Sequence, residues 1–108
     1  MSQYHVGEFE EVVLLTVAIL NSEAYGVAII DEMEKRLSRR VSIGALQTVL
    51  RRLEKKGLLI SAFGEATQIR GGKRKRYFSI TQKGQKVMNG VKDQRLALWK
   101  AIPEIAFK

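Results

Sequence analysis

The sequence predicts an α+β domain, mostly α, in which three helices lead into a two-stranded hairpin and a long fourth helix follows. Three observations carry that expectation. Val41 to Gly57 repeats apolar side chains at helical spacing. Leu58 to Phe63 and Arg74 to Ile80 read as two strands, joined by a loop rich in glycine and charge. Thr81 then caps a long run of helix formers that continues to about Ala101 and is ended by Pro103. Helix, strand, basic loop, strand is the order of a winged helix-turn-helix with a two-stranded wing and a long C-terminal dimerisation helix. Residues 1–81 would form the winged-helix region and residues 82–108 the dimerisation helix of one compact domain. No repeat, low-complexity tract or linker suggests a second domain.

The first helix is expected over Glu8 to Leu20. Glu8, Glu10 and Glu11 suit the positive end of a helix dipole, and Asn21-Ser22 supply a stop. Val12 to Leu15 alone could also be a buried strand. As a helix the segment is apolar on nearly all sides, which calls for burial by more than one neighbour. Tyr25 to Ser38 is the second helix, with Val27, Ile30, Met33 and Leu37 as its apolar face and Asp31, Glu32 and Glu34 ahead of Lys35, Arg36 and Arg39. Gly26 lowers helix propensity there by about 1 kcal/mol against alanine. Its expected use is the close passage of another backbone.

Ser42 suits the N-cap of the third helix, since its hydroxyl can accept from first-turn amides. Leu46, Val49, Leu50 and Leu53 form the inward stripe, and Gly57 closes the helix after Lys55 and Lys56. Gly44, Thr48, Arg51, Arg52 and Lys55 point away from that stripe, with Gln47 on the flank. In the second strand Phe78 and Ile80 share one face, Lys75 and Tyr77 the other. The stripe of the last helix is Val87, Val91, Leu98 and Ile102, with Met88 and Trp99 at its edge.

Charge separates these elements further. The chain carries a net +8, with a pI near 10.1, which favours a polyanionic partner: nucleic acid or an acidic membrane surface. By position the balance is −3 over residues 1–40, +7 over 41–80 and +4 over 81–108. The middle third is therefore a local basic patch. With no cysteine, disulfides, thiolate metal sites and cysteine nucleophiles are excluded. His5 has no nucleophile or carboxylate pattern beside it, and no phosphate-binding glycine loop is present. The acidic trio reads as helix-start charge rather than a metal site. Neither an enzyme nor a cofactor nor a metal is expected. The first residues lack the pattern of a signal peptide, and the longest apolar run, Val12 to Leu20, is far short of the roughly 20 residues of a membrane span. A soluble cytoplasmic chain is the expectation.

A helix that buries one face and presents Thr48, Arg51, Arg52 and Lys55 on the other can enter a major groove about 12 Å wide. Arginine can read guanine edges and Thr48 a thymine methyl or a phosphate. Ser42 and the first-turn amides, Gly44 included, would hold a phosphate at the helix N-terminus. In the hairpin, Arg70, Lys73, Arg74, Lys75 and Arg76 repel one another in a way that a phosphate backbone would relieve. Thr48, Arg51 and Arg52 are therefore assigned to bases; Ser42, Gln47, Lys55, Lys73, Arg74, Lys75, Arg76 and Tyr77 are assigned to the backbone or the minor groove. The partner so implied is double-stranded DNA. The last helix is too long and too apolar along one stripe for this chain to cover easily, the alternative being that it folds back on the chain's own core. A homodimer is expected with Val87, Val91, Leu98, Trp99 and Ile102 in its interface, the first helix assisting, on pseudo-palindromic operators. Trp99 could also stack on a planar aromatic effector, although an aromatic ring there serves packing as well. One rival is a winged helix that docks an acidic protein partner. Another is a membrane-surface protein using the last helix, which Gln94 in the stripe argues against.

Several segments together resemble the PadR family of transcriptional regulators: Gly7-Glu8-Phe9-Glu10, Ala24-Tyr25-Gly26-Val27, Val41 to Leu46, Arg52 to Leu58, Gly71 to Phe78 and Ile80-Thr81-Gln82-Lys83-Gly84. They run in order from about residue 7 to 85. The resemblance implies a dimeric winged helix, usually a repressor, with some members released from DNA by phenolic or other aromatic compounds. At Gln47 the family often has tyrosine, at a position expected to touch the DNA backbone. Longer members carry a larger helical dimerisation domain after the wing, so the single helix here implies the short subtype, with any effector pocket at the dimer interface near Trp99.

Overall fold

The computed structural model describes residues 5–64 and 74–107, and Lys73, assigned above to DNA, lies outside them with most of the basic loop. Helix α1 spans Glu8–Leu20. The Gly7 N–H donates to the Glu10 carboxylate at 2.9 Å, which satisfies a backbone group near the helix start. The helix stops where Asn21 turns to a positive φ, and a short 3-10 turn, Asn21–Glu23, follows. Val13, Leu14 and Val17 are buried, and the helix packs on the second, third and fourth helices and on the second strand, as its apolar surround requires. Leu15 and Ile19 stay exposed.

Helix α2, Gly26–Leu37, turns a different face inward from the one its spacing predicts. Ile29 and Met33 are buried, Ile30 packs partly against the core, and Val27 and Leu37 are exposed. At 100° per residue Val27 lies about 140° from the middle of the Ile29–Met33 stripe. Leu37 sits at the end of the helix. Packing against α1 and the third helix selected one of two overlapping apolar stripes. The expectation for Gly26 is corrected too, because a Cβ there would meet the Ile43 side chain at 3.2 Å, not a backbone.

Helix α3, Ile43–Lys55, follows its pattern closely. Ser42 Oγ accepts the Ala45 N–H at 3.1 Å, and Leu46, Val49, Leu50 and Leu53 are all buried. Gly57 takes a φ of +79°, a region that favours glycine, and turns the chain directly into β1, Leu59–Phe63. Strand β2, Arg76–Ile80, pairs antiparallel with β1, from Leu59 opposite Ile80 to Phe63 opposite Arg76. Its other side is pinned to the α1–α2 connection: Tyr25 bridges Tyr77, and the Phe78 N–H donates to Ala24 O at 2.8 Å. Tyr25, seen in the sequence only as a helix start, is thus the stub of a third strand.

Helix α4, Gln82–Ala101, is capped by Thr81, whose Oγ1 accepts the Gly84 N–H at 2.9 Å and donates to Gly57 O at 2.7 Å. Close backbone approach belongs to Gly84, where a Cβ would stand 2.3 Å from Leu58 O. Val87 and Val91 lie in the chain's own core, not on a free surface, so they are withdrawn from the dimer-interface set. The stripe predicted as one unit serves two surroundings. From Lys92 to Phe107 every residue is exposed, and the long axis reaches 61 Å against 30 and 21 Å for the others. Leu96, Leu98, Trp99 and Ile102 lie uncovered on this projecting half, followed by Ile105 and Phe107 in the 3-10 turn Glu104–Phe107. Two antiparallel strands against a helix-turn-helix, with the fourth helix behind, make the winged helix-turn-helix.

Candidate nucleic-acid interface

A groove of about 390 Å³ lies between the start of α2, the outer face of α3 and strand β2. Val27, Ile43, Leu50 and Phe78 supply its apolar lining, and Gln47, Arg51, Glu54, Arg74, Lys75 and Arg76 its polar one. Two segments separated by the whole of β1 therefore bring their cations to one surface. Thr48 and Lys55 stand exposed on α3, and the Thr48 hydroxyl donates back to Gly44 O at 3.0 Å. Among the described residues, nothing beyond the helix's own backbone and the two chain neighbours comes within 4 Å of a Cβ built at Gly44, so no packing contact there demands glycine.

The cations differ in what they already touch. Among the described residues, Arg51 and Lys55 have no carboxylate within salt-bridge distance. Arg52 leans the other way, its guanidinium 4.0 Å from Glu10 on α1, so it is not gathered into the groove with Arg51. Lys75 Nζ sits 4.1 Å from the centre of the Tyr25 ring, and Tyr25 meets Tyr77 edge-on at 5.5 Å. Arg74 donates to Gly64 O at 2.8 Å and lies 5.6 Å from the Phe63 ring. Arg76 is held within the chain by Ser61 and Glu54. Beside the apolar lining and Gly26, Glu54 and Tyr25 are groove residues that sequence reasoning did not assign to the site. Glu54 sits on the polar side of α3 and meets its partners 7 and 22 residues away, so no local signal reveals its role.

The acidic trio of α1 is fully occupied. Glu8 meets Arg39 at 2.8 Å, Glu10 meets Lys56 at 2.9 Å and Glu11 meets Arg95 at 2.6 Å. Burial pushes the Glu10 carboxyl up, but the Lys56 ammonium, the Gly7 N–H and the Arg52 charge outweigh it and hold the group below the usual carboxylate range. The Glu11 carboxylate hydrogen-bonded to Arg95 raises the guanidinium above its ordinary value. No cluster of potential metal ligands occurs among the described residues, and none of their helices is long and apolar enough to cross a membrane.

Comparisons with known proteins agree with this fold. Residues 14–90 match the model of the transcriptional regulator PadR-like family. A PadR-like transcription factor from Bacteroides fragilis superposes with a TM-score of 0.71 at 28% identity, over 85% of this chain and 84% of that one. A PadR family transcriptional regulator from Eggerthella lenta gives 0.66 at 28% identity, over 86% and 80% of the two chains. One from Clostridium difficile R20291 gives 0.63 at 26%, over 82% and 90%. No functionally curated protein matches the chain.

Proposed function

From the premise that the chain belongs to the PadR-like family of transcriptional regulators, which are not enzymes, we propose a cytoplasmic, homodimeric repressor. It binds a pseudo-palindromic operator through α3 and the wing. The observation that carries this reading is the meeting of Arg51 on α3 with Arg74 and Lys75 beside β2 along one groove. Arg51 and Thr48 approach base edges in the major groove. Lys55, Arg74 and Lys75 serve the phosphate backbone, with Ser42, Gln47 and Tyr77 supporting them, and Arg52 approaches from the α1 flank. Gly44, with open space where a side chain would be, lets a phosphate come close to the start of α3.

Residues 1–81 read DNA in this scheme, and within residues 82–108 the second half of α4 joins the two copies. Leu98 and Trp99, 70% and 65% exposed, and Ile102 supply the seam together with Leu15 and Ile19 of α1. An exposed ring at such a seam would stack against a flat aromatic effector, and quenching of the one tryptophan would report it.

The test is a gel shift at physiological salt, with genomic fragments retained by the pure protein set against random DNA. Specific binding is expected to exceed random binding by about 10³-fold or more. Equal affinity for both would leave only a general polyanion binder, as would an acidic protein partner that competes fully with DNA. Sedimentation of Leu98→Glu tests the seam: a dimer for the parent chain and a monomer for the variant are expected.

A further inference from the structure

Three side chains from three elements close a triangle beside the groove. The Ser61 hydroxyl on β1 donates to Glu54 Oε2 on α3 at 2.5 Å. Arg76 on β2 donates from Nε to Ser61 Oγ at 2.8 Å, and its Nη2 reaches Glu54 Oε1 at 3.2 Å. The rings of Phe63 and Phe78 lie 5.5 and 5.9 Å from the guanidinium carbon. A guanidinium so engaged is poorly disposed to take a phosphate. A carboxylate on a surface built for DNA is itself a liability, because it repels the polyanion.

We propose that Glu54, Ser61 and Arg76 are positioning residues that fix the inclination of the wing to the recognition helix. This rests on the DNA-binding reading above. A two-stranded ribbon is marginal by itself, and β1 leaves α3 through a single turn at Gly57, so the hairpin needs a lateral tie. The fork of Arg76 gives that tie direction, since an arginine–carboxylate contact constrains angle as well as distance. The bridge from Tyr25 to Tyr77 holds the edge of β2 away from β1; the triangle ties the face that carries Ser61 and Arg76 to α3. Major-groove contacts from α3 and contacts from the wing then fall in register on one duplex. Arg76, assigned to DNA from the sequence, acts through Glu54 instead.

The sign of one substitution separates this from plain electrostatics. Glu54→Ala removes a negative charge from the DNA side, so a role of charge alone predicts tighter binding to every duplex. The positioning role predicts weaker binding to the selected site. Arg76→Lys keeps the charge and loses the fork. Anisotropy titrations would use a duplex of about 30 base pairs, long enough for two half-sites, carrying the fragment selected by the parent protein, and a random duplex of equal length. Each single variant is expected to lose about tenfold in affinity for the selected duplex, the double variant no more than the worse single one, because both cut the same tie. Random DNA should be bound as before or more tightly.

Glu54→Ala binding the selected duplex as well as the parent does, or losses that multiply in the double variant, would overturn the proposal. Amide exchange in the DNA-free protein gives a second readout. Glu54→Ala should speed exchange in Arg76–Ile80 by about tenfold or more and leave α1 untouched; unchanged exchange would also overturn it. A parent protein with no preference for its own selected fragment would refute the operator reading alone, and the exchange rates would then decide the triangle.

Discussion

Two charged regions of this molecule are built from the same side chains and end differently. At the start of α1, Glu8, Glu10 and Glu11 each meet a basic group from another part of the chain, 31, 46 and 84 residues away. On the face made by α3 and β2, Arg51 and Lys55 meet no carboxylate among the described residues, and Lys75 and Arg74 rest against aromatic rings. The first region is complete within the chain and ties α1 to α3 and α4. The second is left open, and in the proposed function DNA would complete it. Residue type does not distinguish the two; the presence of an internal partner does.

Substitutions can break the contrast from either side. Arg51→Ala is expected to cost about 1–3 kcal/mol at one operator position and to leave thermal stability unchanged. Titration against operators altered one base pair at a time reads this directly. A loss spread evenly over all duplexes would move Arg51 from bases to backbone. Lys56→Ala acts in the opposite region. It strips buried Glu10 of both hydrogen bonds from the ammonium group and should cost about 2 kcal/mol of folding stability by urea denaturation. Below the melting range its DNA affinity should equal the parent's.

Gly44→Ala sharpens the contrast, because fold and function should move apart. With open space for the new methyl group, stability should rise by up to about 1 kcal/mol, while DNA affinity falls as the approach to the phosphate is blocked. A variant that is more stable and binds equally well would show that no close approach occurs there. The smallest expected effect is one of pH. The folded-state pKa of Glu10 lies below its unfolded value of about 4.5, so its contribution is fully present above that value and fades as pH falls through the folded pKa. Urea midpoints measured from neutral pH downward should show the fall, and Lys56→Ala should reduce it.

Local physics made much of this readable in advance. Ser42 and Thr81 announce two helix starts because capping involves only the next three residues, and the α3 stripe from Leu46 to Leu53 repeats at one period without competition. In α2 two apolar stripes overlap, and only contact with α1 and α3 picks Ile29 over Val27. In α4 periodicity places Val87, Val91 and Leu98 on one stripe, but the core ends after Val91. The basic face was legible as charge density in the middle of the chain. Which cations are free was not, because the partners of Arg52 and Arg76 lie on distant elements.

The central claim is that α3 and the wing address one duplex together. Hydroxyl-radical footprinting of the selected operator tests it most directly. In each half-site, a protected segment is expected where α3 enters the major groove, with a second, adjoining protection from the wing that disappears in Arg74→Ala/Lys75→Ala while the first remains. A footprint of a single uninterrupted segment, unaltered by that double substitution, would contradict it.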